Sequence, residues 1–349
     1  MTTIIAVSVI ASFIIAAAIG PPLIRYLHNM NFGQKILSYV PEHASKQNTP
    51  TMGGFMFIIS ITLVTILSNV ILVRSISIQS FTVLLLSLCY GLIGFIDDRT
   101  KIRKAENEGL TSKQKFALQL VLALVFLSVL HMGGYLLPSL YIPFAGVSLN
   151  IPWLVYIVIA AFIMVGCNNA VNLTDGLDGL AAGVTLPVAV YFIVIGVISN
   201  NTPVVVFASA LAGGLAAFLI FNFNPAKVFM GDTGSLFLGG AVAGLAFACD
   251  QPIALVFVGL IYVIETLSDI LQVSYYKATK KPVLDENGQP VRDAKGNVKM
   301  QGKRIFKKAP IHHHFQLCGW SEKKIVLIFA GITVVMCVLA YFGTAPHYL

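Results

Sequence analysis

Charge is scarce in this chain. Only 11% of its 349 residues are Asp, Glu, Lys or Arg, against about 25% in an ordinary soluble domain. Hydrophobic residues make up 57%, and the mean hydropathy is +0.83. A soluble globular domain of usual composition is thereby excluded. Cysteines number five (Cys89, Cys167, Cys249, Cys318 and Cys337), with neither zinc-site nor disulfide-framework spacing. They read as small buried apolar residues. The first apolar run has no basic segment before it, which argues against a cleaved signal peptide.

Long uncharged runs fill the space that charge leaves. Residues 1–24, 53–73 and 75–96 contain no Asp, Glu, Lys or Arg. Residues 116–174 and 179–226 are uncharged and long enough for two crossings each, and 325–343 is a final run. A crossing needs roughly 20 apolar residues. The sequence therefore predicts an all-α polytopic membrane protein, one domain over 1–349, with ten helices. They fall at about 3–25, 53–73, 79–97, 115–133, 153–172, 179–199, 203–222, 234–249, 253–276 and 323–343. Basic residues in short loops set the orientation. Of 23 Lys and Arg, only Arg74 falls in a loop after an even-numbered span. Both termini are therefore expected outside, with the loops after spans 1, 3, 5, 7 and 9 in the cytoplasm. The net charge of +8 is this orientation signal, with some attraction to anionic lipid, and requires no nucleic acid.

Polar clusters collect at that same face. Asp97 and Asp98 end predicted span 3, and "VNLTDGLDGL" (171–180) turns between spans 5 and 6. "FNFNPAKVFMGDTGS" (221–235) joins spans 7 and 8, "ASKQNTPTMGG" (44–54) leads into span 2, and "KAPIHHHFQ" (308–316) precedes span 10. Each has a plainer reading. Asp175, Asp178 and Asp232 suit helix N-caps. The His run could be an adventitious metal binder, and Lys46 and Lys101 are ordinary inside-positive residues. Capping does not explain Asn172, which steps by three with Asn169 and Asp175 along one side of a helix end. Two adjacent carboxylates at a helix C-terminus also oppose the dipole. Carboxylates beside Gly turns suit Mg²⁺, which takes oxygen ligands from one or two carboxylates plus substrate phosphates. Lys and protonated His suit phosphate charge.

Five segments, "TPTMGG" (49–54), "DDRTK" (97–101), "NAVNLTDGLDGL" (169–180), "FNFNPAKVFMGDTGS" (221–235) and "PIHHHF" (310–315), run in one order over nearly the whole chain. Together they closely resemble the phospho-N-acetylmuramoyl-pentapeptide transferases, within the polyprenyl-phosphate N-acetylhexosamine-1-phosphate transferase superfamily. The resemblance implies transfer of phospho-N-acetylmuramoyl-pentapeptide from its UDP donor to undecaprenyl phosphate. The products would be lipid I and UMP, with Mg²⁺ as cofactor, in peptidoglycan synthesis at the bacterial plasma membrane. By motif, Asp232 would bind the metal, and Asp97 and Asp98 would serve the lipid phosphate and the metal. Lys46, Thr51, Asn172, Asp175, Gly176, Asp178, Asn222 and Phe229 would line the nucleoside pocket. Lys101, Lys115 and the run His312, His313 and His314 would face phosphates. A homodimer is implied as well.

The chain departs from the family pattern in two places. Gln316 stands where the family commonly has Glu. The cytoplasmic loop 277–322 carries extra sequence at about 280–301, where "ENGQ" and "AKGN" suggest a hairpin without catalytic residues. Two other functions fit the composition. A sister transferase would pass N-acetylglucosamine phosphate instead, and a radiolabelled-donor assay separates the two. A secondary transporter would bind ions near the midplane, where only Glu265 and Asp269 approach that depth. On mechanism, direct in-line attack by the lipid phosphate is favoured over a covalent aspartyl intermediate, which the sequence leaves open.

Overall fold

The computed structural model describes residues 1–30, 49–74, 77–104, 109–292 and 296–349. Helix α1 is Thr2–Asn29, α2 is Phe55–Ser68 with a π turn at Asn69–Val73, and α3 is Ile78–Lys104. Helix α4 is Ser112–Met132, α5 Trp153–Thr174, α6 Leu180–Ile198, α7 Thr202–Asn222 and α8 Gly231–Ala248. Two pieces follow, α9 (Leu255–Val258) and α10 (Leu260–Ala278), then a short α11 (Ile311–Leu317) and α12 (Glu322–Thr344). By length and composition, eight of the described helices can cross a membrane, or nine if the bent pair of 252–258 and α10 is one span. The chain is thus a helical multi-pass membrane protein. Lipid-facing side chains agree: Phe162, Leu154 and Val158 are 76%, 78% and 67% exposed on a single face of α5.

Four expectations need correction. Helix α3 does not end at Asp97–Asp98 but continues to Lys104. Lys101 and Lys115 pair with Asp97, and N–H and O–H groups at the start of α8 bond Asp98, so the two do not terminate the helix. Helix α8 begins at Gly231, and its polar first turn makes it a poorer span by composition than its burial suggests, since every residue from Thr233 to Ala248 is buried. The ninth span is broken at Gly259, where the two pieces meet at 81°. The fold is also not purely helical. Strands β1 (Ser139–Ile142) and β2 (Val147–Asn150) form an antiparallel hairpin, as do β3 (Lys281–Pro282) and β4 (Met300–Gln301). The second falls within the predicted 280–301 elaboration, where further bridges join Leu284 to Pro290 and Arg292 to Val298.

Small residues bring the helices close. Ser8 bonds Ser68 at 3.1 Å and Ser12 bonds Ser60 at 3.2 Å, which ties α1 to α2 where hydrophobic driving force between spans is lacking. The most extensive helix contact is between α3 and α8. Gly94 permits it: a Cβ there would lie 2.1 Å from the Asp232 carbonyl oxygen, a backbone atom that cannot swing aside. We expect Gly94→Ala to push α3 from the start of α8. Such overpacking costs on the order of 1–3 kcal/mol. A thermal-unfolding scan in detergent should show a clearly lower Tm, and an unchanged Tm would show that the approach is not tight.

Candidate active site

Helices α3, α4, α5 and α8 converge at one end of the bundle, and the polar clusters meet there. The N-terminus of α4 is fixed by a reciprocal cap. Thr111 Oγ1 accepts from the Gln114 amide at 3.3 Å, and Gln114 Oε1 accepts from the Thr111 amide at 3.0 Å. That cap sets Lys115 one residue further on. Lys101 comes from α3, four residues after Asp97. Its Nζ lies 2.7 Å from Asp97 Oδ2 and 2.9 Å from Asp232 Oδ2. Lys115 Nζ lies 2.9 and 2.8 Å from the same two oxygens. Two ammonium groups are thus shared between two carboxylates. Asp97 is fully buried, and its Oδ1 accepts from the Leu110 amide at 2.6 Å. Asp232 Oδ1 accepts from Asn172 Nδ2 at 3.0 Å, and the same amide nitrogen lies 2.7 Å from Ser235 Oγ.

Asp98 is adjacent in sequence but differently employed. Its Oδ1 accepts from the Asp232 amide at 3.1 Å. Its Oδ2 accepts from the Thr233 amide at 2.9 Å and the Thr233 hydroxyl at 2.7 Å. A carboxylate from α3 therefore caps the first turn of α8, where free N–H groups and the helix dipole favour an anion.

The other candidates divide into two groups. Asp178 Oδ2 accepts from Asn224 Nδ2 at 3.1 Å and the Ala226 amide at 3.0 Å, so it holds the α7–α8 connection. Asn222 Oδ1 accepts from the Gly179 amide at 3.0 Å, while its Nδ2 donates to the Val228 carbonyl at 2.9 Å. Both side chains are buried and structural in this arrangement. Asp175 and Phe229 are half-buried and Gly176 is exposed, on the open side. Burial, together with the nearby Asp232, Asp98 and Asp178 charges, pushes the Asp175 carboxyl well above the ordinary carboxylate range. Thr51 is buried, and backbone bonds between Pro50 and Phe229 and between Gly53 and Phe229 hold its segment beside the start of α8. Lys46 lies outside the described residues.

The three histidines are not equivalent. His312 is buried, with Nδ1 2.9 Å from Glu265 Oε2. His313 Nδ1 lies 2.8 Å from Gln316 Oε1, and Gln316 Nε2 donates to Glu322 Oε1 at 3.4 Å. His314 Nδ1 accepts from the Lys307 amide at 3.1 Å. Of the three, the structure brings His312 to the 175–178 turn: a Cβ on Gly176 would lie 2.2 Å from its Nε2.

Asp97 and Asp232 are the carboxylates here that could hold a divalent cation. Among the described residues, no group of three or more His, Cys, Asp or Glu encloses a metal position. Instead Asp97 Oδ2 and Asp232 Oδ2 converge on one point that two ammonium groups now share. Two converging carboxylates with the remaining ligands from phosphate or water suit Mg²⁺. An apolar cavity of about 260 Å³ lies nearby between α5 and the broken α9–α10, lined by Phe162, Gly166, Ala170, Leu255, Tyr262 and Leu267.

Several of these contacts have no short sequence motif. Gln119 and Asn168 are fully buried and bonded at 3.0 Å, and Asn168 Nδ2 donates to the Leu236 carbonyl at 2.7 Å, which buttresses α4, α5 and α8 behind the site. Their signal was a pair of amides within uncharged runs.

Residues 80–250 match the family model described as glycosyl transferase family 4. Over 340 residues the chain is 44% identical to a phospho-N-acetylmuramoyl-pentapeptide-transferase of Clostridium perfringens, covering 97% of this chain and 96% of the relative. Proteins of the same name from Clostridium acetobutylicum and Bacillus pumilus are each 40% identical, over 96% of this chain and 98% and 96% of theirs.

The two aspartates should separate experimentally. Asp98→Ala leaves buried N–H groups of α8 without an acceptor, at about 1–3 kcal/mol. Asp97→Asn leaves both lysines paired with Asp232 and should perturb folding less. Thermal unfolding should therefore rank Asp98→Ala as the less stable variant. The reverse order would remove the capping role.

Proposed function

The chain belongs to the phospho-N-acetylmuramoyl-pentapeptide-transferase family, and from that membership and this geometry we propose its reaction. It transfers phospho-N-acetylmuramoyl-pentapeptide from UDP-N-acetylmuramoyl-pentapeptide to undecaprenyl phosphate, releasing UMP and forming lipid I for peptidoglycan. The observation that carries the reading is the Asp97–Lys101–Lys115–Asp232 cluster. The apolar cavity suits part of a polyprenyl chain, and the two lysines suit its phosphate. We further propose ten crossings, with α8 and the broken ninth element included, both termini outside and the site at the cytoplasmic face of the plasma membrane. The inside-positive distribution supports that orientation.

The acceptor is a phosphate monoester with second pKa about 6, so roughly 90% is already a dianion at neutral pH. Removing a proton is therefore a small part of the work. Bringing one anion onto another is the larger part. Lys101 and Lys115 supply positive charge on the spot, in a half-buried setting where it is worth more than in water. An acceptor oxygen forms the new bond to the sugar-side phosphorus, and the bond from that phosphorus to the bridging oxygen breaks. Its electron pair leaves with UMP. Mg²⁺, when bound, neutralises phosphate charge, with Asp97 and Asp232 the residues that would hold it. Asp97 and Asp232 each have both oxygens engaged, and Asp98 has both on α8. That engagement supports direct attack over a covalent aspartyl route.

Two outcomes follow. The purified protein should form lipid product with the muramoyl donor and not with UDP-N-acetylglucosamine, and should stop when Mg²⁺ is chelated. Equal use of both donors would favour the sister activity. A pH–rate series at saturating Mg²⁺ addresses the carboxylates. Asp97→Asn should lose about 100-fold or more and stay low from about pH 7 to about pH 9. Recovery at alkaline pH would restore a general base at that position.

A further inference from the structure

Glu265 is an expensive residue to keep. It is fully buried on α10, and its one ion-pair partner among the described residues is His312. Its Oε1 is buried without a hydrogen-bond partner, while Oε2 lies 2.9 Å from His312 Nδ1. A buried carboxylate with no cation beside it is destabilising by desolvation unless a hydrogen-bonded partner offsets it. The other end of the ring is equally unusual. His312 is 1% exposed, and its Nε2 is buried without a partner. That nitrogen points at Gly176, which is exposed and has no side chain to block it.

We propose that Glu265 is a positioning residue: it orients His312 through Nδ1 and presents Nε2 to a phosphate oxygen of the nucleotide donor at the Gly176 turn. A carboxylate only accepts, so the shared proton sits on Nδ1. In the doubly protonated ring Nε2–H is the remaining donor, and it would donate to the oxygen that gains charge as the nucleotide leaves. A fixed donor aimed at developing charge lowers the barrier more than it aids ground-state binding. The broken ninth element serves this geometry. The 81° bend at Gly259 carries α10, and Glu265 with it, toward α11. The titratable groups facing this region are Glu265 on α10, His313 beside the ring on α11, and Asp175 and Asp178, which flank Gly176 in the turn; Lys307 bonds the next histidine, His314, through its backbone amide.

This inference rests on the transferase reading, and the test keeps the two apart. Binding of UMP and of uridine is measured by calorimetry for wild type, Glu265→Gln, Glu265→Ala, His312→Ala and the two double variants, with turnover measured in parallel. We expect either Glu265 substitution to weaken UMP about tenfold and lower kcat about 100-fold. Uridine affinity should move by less than about twofold, and in the His312→Ala background neither Glu265 change should weaken UMP by more than about twofold. Equal losses for uridine and UMP, or a Glu265 effect that persists without His312, would overturn the proposal and leave Glu265 a packing element. A wild-type protein that makes no lipid product would instead defeat the transferase reading.

Discussion

Two ammonium groups shared between two carboxylates hold this protein's functional end together. Lys101 and Asp97 come from α3, Lys115 from α4 and Asp232 from α8, and each lysine touches both acids within 2.9 Å. None of these charges could be left alone so close to an apolar interior. Each helix therefore needs the other two. The neighbouring polar bonds follow from that requirement, including Asn172 on Asp232 and the amide pair Gln119–Asn168 behind them. The substrate charges proposed above would enter a site whose own charges are already balanced and fixed.

Much of the fold could be read from where charge is missing. Uncharged runs located the long helices to within a few residues at most ends, because a span must satisfy lipid over its whole length. The failures share a cause. Asp97–Asp98 looked like a helix end because the uncharged run stops at residue 96. In the folded chain Asp98 bonds the start of α8, 134 positions away, and Asp97 pairs with Lys101 and Lys115, so α3 runs on. The break at Gly259 was hidden because both halves are apolar. Hairpin β1–β2 lies between the spans expected at 115–133 and 153–172, a stretch to which no element was assigned.

The candidate site was legible in its residue types and less so in their duties. Asp97, Lys101, Asn172 and Asp232 meet, as does Lys115, which had no distinctive motif of its own. Asp178 and Asn222 sit in the same motifs, yet their polar atoms bond protein backbone in loops beside the site. A motif marks a neighbourhood that cannot vary freely, and only the hydrogen bonds separate the residues that shape it from those open to a ligand. Gln316 illustrates the converse. Its side chain accepts at His313 and donates to Glu322, a two-way role that an ionised Glu could not fill.

The α8 cap has a consequence for how the chain is made. Asp98 and the amide it holds at Asp232 are separated by 134 positions. At translation rates of about 5–20 residues per second, Asp98 emerges roughly 7–27 s before its partner. Through that interval α3 has entered the bilayer with two acidic groups near its end and no helix terminus to receive them. Headgroup water must solvate them until α8 arrives. Biogenesis thus imposes its own limit on depth: these acids have to lie where lipid gives way to water, whatever catalysis later asks of them.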